Sequence, residues 1–136
     1  MIVTKPSIDH VKAYLSEQAV HFEEENQDVL TVFFDDYFYV IAQNETVLSI
    51  VCSSKEVIDA NQLSYAHAFI DKVYETRKFP LLYLSESEDG LRLSAGMNYP
   101  VNLKSTKEQM YDFINSAFAI TQDTIELFLS NENEGK

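Results

Sequence analysis

The sequence is poor in the residues that break, staple or loop a chain: it has one cysteine, three glycines, three prolines and no tryptophan. With Cys52 alone there is no internal disulfide, which fits a reducing compartment and makes the cytoplasm the expected location. Glycines at Gly90, Gly96 and Gly135 alone cannot build a loop that cradles phosphate, and Gly-x-Ser-x-Gly and Cys-x-x-Cys are absent as well. No run reaches the roughly 18–20 uninterrupted apolar residues of a membrane helix. The opening, Met1 to Pro6, has no basic segment leading into an apolar one, so no signal peptide is expected. Cations are scarce too: 10 Lys and Arg stand against 22 Asp and Glu, a net charge of −12. A field of that sign repels phosphate backbones and anionic head groups, which argues against nucleic acid and membrane surfaces as partners.

What is present is apolar material. Hydrophobic residues make up 46% of the 136, nine Phe and eight Tyr among them, so the chain is no disordered acidic tail. That length supports one domain, expected over residues 1–130, with a polar tail at 131–136.

The hydrophobic period changes along the chain. Ser7 reads as a helix N-cap, and Ile8, Val11 and Leu15 follow at helical spacing. Val20-His21-Phe22-Glu23 is a short alternating piece before the acidic and polar run Glu24 to Asp28, and whether it pairs with a sheet stays open. Val29 to Phe34, Tyr37 to Ala42 and Val47 to Cys52 are rich in β-branched and aromatic residues and are joined by short turns at Asp35-Asp36 and Asn44-Glu45, which predicts an antiparallel meander. Ser53-x-x-Glu56 has the spacing of a capping box. A helical stripe of Leu63, Ala66, Ile70, Val73 and Tyr74 follows, with Phe69 beside it and Pro80 as the stop. Leu81 to Leu84 and Leu91 to Ala95 form a hairpin around Asp89-Gly90. A second box, Ser105-x-x-Glu108, opens a last helix carrying Met110, Phe113, Ile114, Phe118, Ile125 and Phe128. The order, α-β-β-β-(β)-α-β-β-α, predicts an α+β domain: an antiparallel sheet with helices packed on it.

Few residues suggest chemistry. His10, His21 and His67 show none of the close spacing of a metal site or a nucleophile relay. Cys52 ends an apolar strand and reads as a small buried hydrophobe; the helix expected just after it is the one argument for a reactive thiol. The acidic groups Glu23-Glu24-Glu25, Asp35-Asp36 and Glu86-x-Glu88-Asp89 read as solvated turns. The last fails as a calcium loop because Gly96 stands where a bidentate Glu belongs. No catalytic, cofactor-binding or metal-binding residue is therefore assigned, and no cofactor is expected. An enzyme built from dispersed carboxylates and a histidine is the least favoured reading. The dense aromatic run Phe33, Phe34, Tyr37, Phe38, Tyr39 raises a different question. Alternation puts Phe33 and Phe34 on opposite faces, so both faces of the sheet are partly apolar. The chain's own helices can cover one. The other is either tyrosine-rich surface or a place for a second copy or a client peptide.

The strand Val47-Leu48-Ser49-Ile50-Val51, the helix Gln62 to Tyr74, the hairpin Leu81-Leu82-Tyr83-Leu84 to Leu91-Arg92-Leu93-Ser94 and the last amphipathic helix together resemble the YbjN family. These are bacterial proteins labelled as sensory transduction regulators, similar in fold to the class I chaperones of type III secretion. The resemblance covers about residues 7 to 128 and rests on hydrophobic pattern, element order and acidity; the Asn-rich middle helix common in that family is reduced here to Asn61. It implies a non-enzymatic module with a strongly curved sheet, paired as a homodimer, that binds an extended segment of a client or regulatory partner. It implies no partner-binding residue. The competing expectation is a small-molecule sensor with a pocket between sheet and helix.

Overall fold

The computed structural model describes residues 2–77 and 80–134. The chain folds into a curved antiparallel sheet of six strands carrying three helices, an α+β architecture. Helix α1 (Ile8–Glu17) is followed by β1 (Glu23–Asn26), β2 (Val29–Phe33), β3 (Tyr37–Gln43) and β4 (Val47–Ser54). A 3-10 turn at Ala60–Gln62 leads into α2 (Leu63–Thr76), and β5 (Leu81–Ser87), β6 (Gly90–Pro100) and α3 (Lys107–Glu134) complete the chain. The spatial order is β1-β2-β3-β4-β6-β5, so β1 and β5 are the two edges.

Alternation decides which side chains meet the helices. Tyr39, Ile41, Leu48, Ile50, Cys52, Leu93 and Ala95 are fully buried on one face, beneath α3 and its Ile114, Ala117, Ile125 and Phe128. Burying each large side chain here contributes roughly 1.5–3 kcal/mol. Helix α1 adds Ile8, Val11 and Leu15, and α2 adds Ala66, Phe69 and Val73. Phe69 meets Phe128 edge-on, with ring centroids 5.2 Å apart.

Local signals shift where tertiary partners compete. Of the Val20 to Glu23 piece only Glu23 enters the sheet, and the acidic run continues the strand: Glu23 pairs with Thr31 and Glu24 with Leu30, and a register shift follows before Asn26. Ser53 and Ser54 continue β4 rather than capping a helix, because Ser53 pairs with Phe38 and Ser94. The cap of the middle helical segment is Asp59, whose backbone N–H donates to Gln62 Oε1 at 3.0 Å. Thr106 and Gln109 form the box of α3, one residue past the expected pair, since Ser105 bridges to Thr4 and bonds the Tyr99 hydroxyl. That helix runs to Glu134, through much of the expected tail. In the β5–β6 turn it is Gly90, with φ of +133°, that takes the backbone conformation L side chains avoid.

Candidate functional site: the uncovered sheet face

No described helix packs on the opposite face of the sheet. Three cross-strand rows compose it. Phe33, Phe38, Ser53, Ser94 and Tyr83 make one; Thr31, Val40, Val51, Gly96 and Leu81 the next; Val29, Ala42, Ser49 and Asn98 the third. Phe33 is 61% exposed, Leu81 47% and Tyr83 42%. The middle of the face is low. Gly96 is buried against Val51 and Tyr83, and a Cβ there would stand 3.3 Å from Val51 Cγ2. Ser53 and Ser94 lie buried with their hydroxyls 2.7 Å apart.

The middle of this face is uncharged; charge lies at its margins, where Glu23 continues the Thr31 row on β1 and Arg92 flanks β5. Arg92 lies over the Phe38 ring at 5.9 Å and is held by Asp89 at 3.5 Å, Ser87 Oγ at 2.7 Å and the Lys55 carbonyl. At the β1 margin the Glu25 carboxylate accepts the Thr31 hydroxyl at 2.9 Å. Large apolar side chains at the margins over a small polar middle make a surface suited to contact rather than to solvent.

The aromatic run divides as alternation requires. Phe33 and Phe38 stack outward with centroids 6.1 Å apart. Tyr37 and Tyr39 point inward: the Tyr39 hydroxyl donates to the Phe118 carbonyl at 3.0 Å and the Tyr37 hydroxyl to Glu126 Oε1 at 3.2 Å. Burial, reinforced by the Glu126 carboxylate, pushes the Tyr37 hydroxyl up to about 12. Phe34 closes the strand end against Tyr37 and Tyr39.

The residues weighed for chemistry are scattered. His10 completes the first turn of α1, with Nδ1 accepting the Ser7 N–H at 3.2 Å. His21 is exposed in the α1–β1 connection, near Glu23, and His67 is exposed on α2. Cys52 is fully buried; desolvation pushes its thiol up to about 12, and β4 continues past it where a helix N-terminus was expected. Among the described residues, no group of three His, Cys, Asp or Glu side chains converges as metal ligands. Asp35, Asp36, Glu56, Asp59 and Asp89 instead rim an open basin of about 700 Å³ beside Ile58, Phe128 and Leu129. No described helix is long and apolar enough to cross a membrane.

Tyr74 is the residue sequence reasoning misplaced. Read as part of the apolar stripe, it is 44% exposed, and its hydroxyl reaches the outer edge of β5. Helical spacing places it next to Val73 but cannot reveal the strand backbone it touches.

No protein-family model matches the chain, and no curated protein matches it. Among solved structures it is similar to YbjN from E. coli, described as "a putative transcription regulator", with a TM-score of 0.76 and 14% identity over 98% of this chain and 96% of that one. It is also similar to an uncharacterized protein from Methanothermobacter thermautotrophicus, with a TM-score of 0.55 and 16% identity over 93% of this chain and 99% of that one. The fold is therefore YbjN-like.

Proposed function

We propose that this chain is a non-catalytic regulatory module that works by binding protein, with the uncovered sheet face as its contact surface and a second copy of itself as one partner. The observation that carries this reading is a six-stranded face left bare, with Phe33, Leu81 and Tyr83 exposed, in a molecule of net charge −12. Elsewhere two copies would bring carboxylates together; here they meet over Phe, Tyr, Val and Ser. The likeness in fold to a protein described as a transcription regulator supports a regulatory role. The acidity opposes direct contact with DNA, so regulation would run through protein.

Light scattering on the chromatographed protein tests it. The expected mass is twice 15.6 kDa at micromolar concentration, falling to that of one chain in Phe33→Ser and in Tyr83→Ser. A single-chain mass at every concentration, together with an unchanged profile when purified partners are added, would sink the reading. The basin between α3 and the end of the sheet that carries the β2–β3 and β5–β6 turns favours a second one, a small-molecule sensor. A metabolite that raises the melting temperature without changing the mass would select it.

A further inference from the structure

The two sheet edges are treated differently. β1 is short, fully exposed and irregular, and it carries Glu23, Glu24 and Glu25, features that discourage another strand from pairing. β5 is longer, partly buried and regular, and Glu86 is its one charged residue. Leu81 to Ser87 pairs with β6 without a bulge, and the strand contains no Lys, Arg or Pro. Among the described residues, one side chain bonds its outer backbone. The Tyr74 hydroxyl accepts the Leu82 N–H at 2.7 Å and donates to the Leu82 carbonyl at 2.8 Å. Those are the two bonds a neighbouring strand would make at that position. Antiparallel alternation aims the N–H and C=O of Leu84 and Glu86 the same way.

We propose that the β5 edge accepts an extended cationic segment of a partner protein as a seventh strand, and that the Tyr74 hydroxyl is the latch this segment displaces. The inference rests on the protein-binding reading above and names where and what it binds. Charge selects the occupant: Glu86 and Glu88 are exposed at the far end of the strand, and the molecule is at −12. A second copy pairing β5 with β5 would bring those carboxylates to the same seam. Apolar residues of the incoming segment would extend the rows ending at Leu81 and Tyr83.

The test is fluorescence anisotropy with a short labelled peptide of alternating lysine and valine, and a glutamate–valine peptide as control. Amide exchange is followed in the same samples. The lysine–valine peptide is expected to bind and to slow exchange at Leu84 and Glu86. Tyr74→Phe, which keeps the ring and removes the latch, should tighten binding ~5-fold, the worth of about one net hydrogen bond. Glu86→Pro, which removes an outward N–H, should abolish it. Absence of binding, binding without protection of β5, equal binding of the acidic peptide, or indifference to Tyr74→Phe would each overturn the proposal. So would dimerisation of Tyr74→Phe through protected β5 amides, which would make a second copy the occupant. Should Tyr74→Phe not fold, exchange protection in the unsubstituted protein decides alone. Phe33→Ser lies four strands from β5, near the opposite edge of the sheet, and should leave peptide binding intact. If it abolishes self-association while the peptide fails to bind, the edge proposal falls and the protein-binding reading stands.

Discussion

Ala19 shows how a single position can carry strain. It follows α1 with φ of +57°, the left-handed conformation of a helix C-terminus usually filled by glycine. Its N–H donates to the Ser16 carbonyl and that of Val20 to the Leu15 carbonyl, so two end carbonyls depend on that geometry. Ala19→Gly should stabilise the protein by about 1 kcal/mol in urea denaturation, since the side chain is exposed and only the Cβ clash is lost. Cys52 and Tyr37 predict the response to alkali. Both are held protonated in the fold, the thiol to about 12 from 9.0 and the phenol to about 12 from 10.0. The folded state then keeps protons the unfolded chain releases. The stabilisation is complete below pH 9 and is lost as pH rises from there through 12, at up to about 1.4 kcal/mol per unit for the Cys52 thiol and by less for the Tyr37 hydroxyl, which solvent screens. Denaturation midpoints across that range check it, and Cys52→Ala should flatten the slope between pH 9 and 10, where Tyr37 has barely begun to contribute. At this scale burial of Cys52 was legible from its apolar strand, whereas the strain at Ala19 was not, because no composition signal marks a left-handed alanine.

Elements were legible where hydrophobic period and length agreed. The three central strands and the apolar faces of α1 and α3 follow directly from alternation and helical spacing. Their ends were less legible, because capping residues are also strand and bridge residues. Ser53-x-x-Glu56 has the right spacing, but Ser53 gains more from two strand neighbours and a buried hydroxyl pair. This distinction can be measured. Asp59→Ala should destabilise by about 1 kcal/mol and Glu56→Ala by under about 0.5 kcal/mol, reversing the order the sequence pattern predicts. Ile114→Ala, in the middle of α3 and fully buried, should cost about 2–5 kcal/mol in the same measurement. The acidic group Glu23-Glu24-Glu25 reads as a solvated turn because its composition opposes a strand. Its pairing with β2, aided by the Lys12 ammonium of α1 on Glu24 and the Thr31 hydroxyl on Glu25, outweighs that preference.

The whole molecule is governed by the contrast between a strongly acidic exterior and one face whose charges are confined to its margins. The self-association proposed for that face would work against the repulsion of two −12 chains, so raising salt from 20 to 300 mM should strengthen it, whereas association through ion pairs would weaken. Sedimentation equilibrium over that range separates the two. The sequence by itself determined the α+β class, the antiparallel order of the early strands, the core-facing residues and the acidity, because each follows from local period, turn length or a sum over residues. The tertiary structure alone decided that all three helices gather on one face, that β5 becomes an edge, and that Tyr74 turns from the core to cover it. Those outcomes depend on contacts between residues distant along the chain, and one-dimensional spacing carries no record of which face a helix will choose.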